Sequence, residues 1–298
     1  MGKTILVTGA TGYLGSHLVR HYLGLGDRVI ILKRSFSDCH RLVDVMTHLE
    51  SHNLDQATPQ EILGRVGVVD AVIHTATCYG RRRESLATLL AANTHWPLAL
   101  LEAAHVANVP IFINTDTSLD RNLNGYALSK AQFRDWGAWL SRDRPNGSFI
   151  NLRLEHFVGP GDDPSKFVAY LIHQCMQPVE RLELTPGEQQ RDFVDISDVV
   201  RAYDCVLTHA HTQHWTGLHD YDVGSGETVT IRQVAEMVKA LTHSPTELLF
   251  GAKPYRPGEV MRAVADVVPW QGLGWQPQYT AAQAIERTVA ASLAAHNS

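Results

Sequence analysis

Residues 4–15, TILVTGATGYLG, leave few folds open. Thr4 to Thr8 is a short, β-branched apolar run that ends in glycine. From Tyr13 to Leu23 apolar residues recur at helical spacing, and Arg28 to Leu32 (RVIIL) is a second apolar run. The succession predicts a β-α-β unit. Between its first strand and helix stand Gly9, Gly12 and Gly15, three apart. A tight turn opening into a helix leaves the first helical N–H groups free, and glycine lets a diphosphate approach where a side chain would block it. Glycines at this spacing also serve a plain packing turn, so the rest of the chain has to decide.

Runs rich in β-branched residues return at Ala71 to His74 (AVIH), Ile111 to Asn114 (IFIN) and Phe149 to Leu152 (FINL). Helix-compatible stretches, Leu86 to Val106 and Ala127 to Leu140, lie between them, with a kink expected at Pro97. Alternating strands and helices predict an α/β fold with a doubly wound parallel sheet, whose ligands lie at the carboxyl ends of the strands. Residues 41–69 read equally as one or two helices or as a helix with a third strand. Beyond residue 155 glycine- and proline-rich turns (GPGDDP, TPGEQQ, GSGET, YRPGE) separate short mixed elements. The expected organisation is a dinucleotide-binding domain over 1–154 and a smaller region over 155–298, some segments of which return to the main sheet.

The 298 residues, 44% apolar and 19% charged, are those of a globular protein with a sizeable core. A net charge of -5 without a long basic block gives no footprint for nucleic acid. Arg81 to Arg83 read either as a solvated edge or as a grip on an anionic ligand. Four scattered cysteines form neither a metal-type pair nor a disulfide framework. The histidine group THAHTQHW lacks a carboxylate or cysteine partner, so no metal is expected. The first apolar stretch is too short and glycine-broken for a signal peptide or a membrane span, which points to the cytoplasm.

Thr115, Asp116, Tyr126 and Lys130 stand close together in INTDTSLDRNLNGYALSK, residues 113–130. Tyr126 and Lys130, four apart at a helix start, share one face. An ammonium there is expected to lower the phenol from its ordinary pKa of about 10. Thr115, at a strand end, is placed to hydrogen-bond a substrate oxygen. Asp116 is open to three readings: a contact to a substrate hydroxyl, a second proton donor, or a turn-forming aspartate. At the end of the second strand an acid usually accepts the NAD ribose, whereas basic groups pair with the extra phosphate of NADP. Lys33 and Arg34 occupy that place, which favours NADP(H) over NAD(H).

With these residues in this order, the chain resembles the extended short-chain dehydrogenase/reductase superfamily, in its branch of sugar-nucleotide epimerases, dehydratases and reductases. The motifs TGATGYLG, DAVIHTAT, Asn93, YALSK, LRLEHFVGPGD, GEQQRDFVDISDVVRA, YDVGSGETVTI and YRPGE stand in that family's order. The resemblance implies a Rossmann-type domain that binds NAD(P) and a smaller C-terminal region that binds a nucleoside-diphosphate sugar. It implies Thr115, Tyr126 and Lys130 as the catalytic trio. It implies a cofactor site of Gly9, Thr11, Gly12, Tyr13, Leu14, Gly15, Thr75, Ala76 and Asn93 beside Lys33 and Arg34. It further implies substrate contacts from Glu155, His156 and Lys166, with Arg191 and Arg256 clamping the diphosphate.

Within the branch, NTD, RLEHFVGPGD, KF at Lys166 and GEQQRDF look most similar to CDP-abequose synthase-like sugar-nucleotide 4-ketoreductases. The loop from Thr115 to Tyr126 is shorter than is usual there. The dehydratases' glutamate is replaced by Thr117, and the epimerases' strand-end acid by Lys33. The expected activity is therefore NADPH-dependent reduction of a 4-keto-6-deoxy or 3,6-dideoxy sugar nucleotide. The alternatives are an NAD-dependent C4 epimerase, then a 4,6-dehydratase or a non-catalytic NADP-binding regulator. The helical segments Leu86 to Val106 and Ala127 to Leu140 resemble those that pair into the family's dimer interface, so a homodimer is expected. The nucleotide base, the sugar and the C4 stereochemistry have no local signature.

Overall fold

The computed structural model describes residues 2–142, 144–177 and 179–296. The chain divides into two compact units, 1–153 with 200–221, and 154–199 with 222–298. In chain order the strands are β1 (Thr4–Thr8), β2 (Arg28–Lys33), β3 (Glu50–Asn53), β4 (Ala71–His74), β5 (Ile111–Thr117), β6 (Ser148–Leu154) and β7 (His156–Val158). They continue as β8 (Arg181–Leu184), β9 (Gln190–Arg191), β10 (Phe193–Asp195), β11 (Gly217–Val223), β12 (Val229–Thr230) and β13 (Glu247–Phe250). The helices are α1 (Tyr13–Gly24), α2 (Pro59–Val66), α3 (Leu86–Leu90), α4 (Trp96–Val106), α5 (Gly125–Ser141), α6 (Phe167–Met176), α7 (Ile196–Gln213), α8 (Ile231–Leu241) and α9 (Ala281–His296). Among the described residues no helix is long and apolar enough to cross a membrane.

The first unit is built on a seven-stranded sheet in the order β11-β6-β5-β4-β1-β2-β3. From β3 to β5 every pairing is parallel, with Ile5 in register with both Val29 and Ala71. Parallel strands buried on both faces need continuous apolar runs, which TILVT, RVIIL and AVIH supply. On one face Ile62, Leu101 and Phe133, from α2, α4 and α5, close over Leu6, Val72 and Phe112. Each such side chain contributes about 1.5–3 kcal/mol on full burial. α1 buries Leu14, Leu18, Val19 and Tyr22.

The stretch left open at 41–69 holds two 3-10 turns, the edge strand β3 and then α2, so it is a helix with a third strand. Thr58 and Glu61 form a reciprocal capping box around Pro59, which fixes where α2 begins. At Pro97, where a kink is expected, the helix changes its hydrogen bonding. Pro97 has no N–H to give the carbonyl of Asn93, four residues back, and residues Ala91–His95 take one π turn between α3 and α4. β11 is the segment of the C-terminal half that returns to the sheet.

The second unit has its own core, in which Leu171 of α6, Val234 of α8 and Ile285 of α9 meet Phe193. Three short pairings frame it: β7 with β10, β8 with β13, and β9 antiparallel to β12.

Candidate active site

The sheet order turns back between β1 and β4: β2 and β3 follow on one side, β5 and β6 on the other. A doubly wound sheet opens its ligand crevice at that point, beyond the carboxyl ends of the two strands. The loops after Thr8 and His74 meet there. Gly9 has φ +68, and a Cβ on it would lie 2.5 Å from the amide nitrogen of Ala76. A Cβ on Gly15 would overlap the carbonyl of Gly9, while the N–H of Gly12 donates to that carbonyl at 2.9 Å. No side chain caps α1 and no acid stands in its first turn, so the positive end of the helix dipole faces the crevice and favours an anion. Thr11, part-buried, completes the turn. Thr75 Oγ1 donates to the Thr8 carbonyl at 2.8 Å and pins the second loop to β1. The cradle fits a dinucleotide's diphosphate.

At the end of β2, Lys33 Nζ donates to Asn53 Oδ1 at 3.0 Å, and the Arg34 guanidinium lies 4.9 Å from the ring centre of Phe36. A carboxylate does stand nearby, supplied from beyond β3: Asp55 accepts from the Ser35 N–H at 2.7 Å. Asn93, a cofactor contact by the resemblance, also has partners within the protein. Its Oδ1 accepts from the Cys78 N–H at 2.8 Å, and its Nδ2 donates to the Cys78 carbonyl at 2.8 Å and to Ser129 Oγ at 3.0 Å. Fully buried on the π turn, it ties the loop after β4 to α5 and so holds the crevice wall.

Thr115 and Asp116 lie on β5, and Tyr126 and Lys130 on the first turns of α5, whose start Asn124 caps by accepting from the Ala127 N–H. Three of them are gathered, since the Asp116 carboxylate acts electrostatically on both Tyr126 and Lys130, and Thr115 precedes Asp116 on β5. Asp116 is itself buried, accepting from the Thr117 N–H at 2.8 Å and from Asn151 Nδ2 at 3.1 Å. Asn151 also donates to Asp220 and accepts from Asn114, so a buried polar chain fixes the carboxylate from behind. These bonds hold the Asp116 side chain in one position on β5.

The expected lowering of the Tyr126 phenol by lysine is not what governs it. Burial pushes the phenol well above its ordinary value and Tyr79 adds to this, while hydrogen bonding from Thr117 and Thr77 works the other way. Lys130, fully enclosed, is pushed down to about 8 by burial, against the pull of Asp116. Burial sets the direction for both groups because both lie inside the protein.

Two aromatic residues of this site carry no sequence signal. Tyr203 on α7, within the first unit, puts its hydroxyl 2.6 Å from Thr115 Oγ1. Tyr79, after β4, packs its ring 5.3 Å from that of Tyr126 and carries the Arg81 guanidinium on its own face at 4.6 Å. The arginine run thus sends one member to the edge of the site.

Glu155, His156, Lys166, Arg191 and Arg256 all belong to the second unit. Glu155 is buried with one carboxylate oxygen unbonded, 3.6 Å from His156 Nδ1. Lys166 pairs with Asp162 at 3.0 Å and lies over the Phe157 ring at 3.9 Å. Arg191 pairs with Glu259 at 2.5 Å, and the Glu259 N–H closes a turn onto the carbonyl of the exposed Arg256 at 3.0 Å. Glu259, which the sequence pattern did not single out, therefore links the two arginines. The adjoining Asp192 anchors this region by accepting from the Ser225, Gly226 and Ala265 N–H groups.

The profile of the NAD dependent epimerase/dehydratase family matches residues 5–224. The chain belongs to that family. It is 30% identical over 292 residues to the CDP-abequose synthase of Salmonella typhimurium, covering 95% of this chain and 96% of the other. It is 26% identical to the dTDP-4-dehydro-6-deoxy-D-allose reductase of Streptomyces bikiniensis, with 83% of each covered. Among solved structures, the UDP-glucose 4-epimerase of Thermotoga maritima superposes with a TM-score of 0.82 at 22% identity, over 98% of this chain and 99% of that one. The family and the nearer likeness to CDP-abequose synthase are those read from the motifs, and the seven-stranded sheet is that of these enzymes.

Proposed function

We propose that the protein is an NADPH-dependent reductase acting on the C4 ketone of a nucleoside-diphosphate 4-keto-6-deoxy sugar, 3,6-dideoxy substrates included. The observation that carries the reading is the placement of Tyr126 and Lys130, one helical turn apart at the start of α5, both acted on by Asp116 of β5, with a phenol that stays protonated. A reductase needs a proton donor at the start of its cycle, whereas alcohol oxidation needs a base. The names of two relatives, a CDP-sugar synthase and a dTDP-sugar reductase, support the same direction.

The bound cofactor supplies the hydride. Gly9, Gly12 and Gly15 with the start of α1 would receive its diphosphate, and Arg34 and Lys33 the additional phosphate. Tyr126 gives its proton to the oxygen of the ketone as that oxygen gains charge. Lys130 steadies the phenolate that remains, Asp116 keeps Lys130 charged, and Thr115 orients the ketone by donating to it. Arg191 and Arg256 take the sugar nucleotide's diphosphate, with Glu259 released from Arg191 as the phosphate replaces it. Thr117 supplies no carboxylate for loss of water, which argues against a dehydratase.

An NAD-dependent C4 epimerase is the second reading, favoured by Asp55 beside the end of β2 and by the likeness to the Thermotoga enzyme's fold. We further propose that the protein is cytoplasmic and forms a homodimer through α3 and α5. These helices leave Leu86, Leu90, Leu128, Trp136 and Trp139 exposed.

The test is a panel of CDP-, dTDP-, UDP- and GDP-linked 4-dehydro-6-deoxyhexoses with NADPH or NADH, followed at 340 nm. The expected result is oxidation of NADPH in preference to NADH. Tyr126→Phe should lower turnover by roughly 10²–10⁴. Interconversion of C4 epimers without net NADPH loss would replace the reductase by the epimerase.

A further inference from the structure

The Thr115 hydroxyl has one proton and, in the reaction proposed above, must point it at the substrate ketone. A threonine hydroxyl turns freely, so something has to choose the direction. Tyr203 is fully buried on α7, and among the described residues its hydroxyl meets one hydrogen-bond partner, Thr115 Oγ1 at 2.6 Å. Thr115 is part-buried on β5 and has no other side-chain partner among those residues.

Two arrangements satisfy that contact. If Thr115 donated, the phenolic proton would be sealed in the interior with no acceptor, at the full cost of an unmet buried donor. If Tyr203 donates, its proton is satisfied and the Thr115 proton is turned away from α7. The second is favoured because only Thr115 reaches open space.

We propose that Tyr203 is a positioning residue that donates a permanent hydrogen bond to Thr115 and thereby commits the Thr115 proton to the substrate's carbonyl oxygen. This role rests on the reductase reading. Burial keeps the Tyr203 phenol protonated far above neutral pH, so the donor is present throughout the working range. The residue contributes no proton to the product and touches no reacting atom; it removes a rotational choice in advance of the reaction.

The experiment is a double-mutant cycle between Tyr203→Phe and Thr115→Val, assayed with NADPH and whichever of the CDP-, dTDP-, UDP- and GDP-linked 4-dehydro-6-deoxyhexoses the wild type reduces. Tyr203→Phe should lower kcat about tenfold, a fraction of what loss of a direct oxyanion donor costs. KM and NADPH affinity should stay within about twofold, as positioning acts in the transition state. In the Thr115→Val background the same change should alter kcat less than about twofold, because the hydroxyl it directs is gone. An unchanged kcat in Tyr203→Phe, or an equal tenfold loss without Thr115, overturns the role and leaves the reductase reading standing. Should Tyr203→Phe not fold, 3-fluorotyrosine at 203 keeps the volume and strengthens the donor; kcat should then rise at constant KM, and an unchanged kcat overturns the proposal. A wild type that reduces none of the four substrates overturns the reductase reading and this role with it.

Discussion

Replacing Lys130 by methionine should make the protein more stable while abolishing its activity. The ammonium is wholly enclosed, and burial, opposed by Asp116, pushes it down to about 8 from an ordinary 10.5. At about 1.4 kcal/mol per tenfold change in proton affinity, keeping that charge in the folded protein at pH 7 costs about 3 kcal/mol. Methionine has similar length and volume and carries no charge, so it recovers most of that cost with little repacking. The pH dependence follows from the depressed value. Below pH 8 both folded and unfolded chains hold the proton and the cost is complete. Between 8 and 10.5 the folded chain has lost its proton and the unfolded chain still binds one, so wild-type stability rises with pH. The methionine advantage should therefore be about 3 kcal/mol at pH 7 and under about 1 kcal/mol at pH 10. Denaturant unfolding of the cofactor-free proteins at both pH values measures it, with hydrogen exchange of β5 and α5 at pH 7 to assign the change to the first unit. A methionine variant no more stable than wild type at pH 7, or equally favoured at pH 10, would refute the buried-charge argument.

Arg34→Ala should weaken NADPH about tenfold or more and leave NADH nearly unchanged, since a guanidinium bond to phosphate is worth about 1.5–3 kcal/mol; calorimetric titration of both cofactors decides it. Equal weakening of the two would mean that Arg34 does not read the additional phosphate. Asn93→Ala leaves the part-buried Cys78 N–H and carbonyl without their Asn93 partner. The expected loss is about 2–3 kcal/mol in denaturant unfolding, with a fall in kcat as the loop after β4 loosens.

The first half of the fold was legible because its strands are buried on both faces and have to be apolar throughout. β3 was not: ESHN at 50–53 is an edge strand with no apolar stripe, held by its ladder to β2 alone. Pro97 announced a kink, but not that the helix would widen over Ala91–His95 and turn Asn93 into the wall of the crevice. Tyr126 and Lys130 were visible through helical spacing. Tyr203 stands 88 positions from the threonine it touches, and only the packing of α7 brings it there. The sign of the Tyr126 perturbation is not legible in the sequence for a related reason. Spacing reports that an ammonium is near but says nothing about how much water both groups have lost.

That loss of water bears on the direction of the chemistry. A tyrosine that ionises easily is a ready base, fit to take a proton from an alcohol; one held neutral by burial is an acid waiting for a stronger base. A ketone receiving hydride becomes an alkoxide, which is such a base, so in the proposed reaction the proton would leave Tyr126 only as the new alcohol forms. The phenolate then left behind lies in the same desolvated pocket, where Lys130 is the neighbouring cation and Asp116 the charge that keeps it protonated near neutral pH. In the proposed reaction Thr115, directed by Tyr203 across their 2.6 Å contact, would fix the oxygen on which all this converges. Reduction would thus run from an uncharged tyrosine to a compensated pair, the cost of the buried lysine being offset when that negative charge appears beside it.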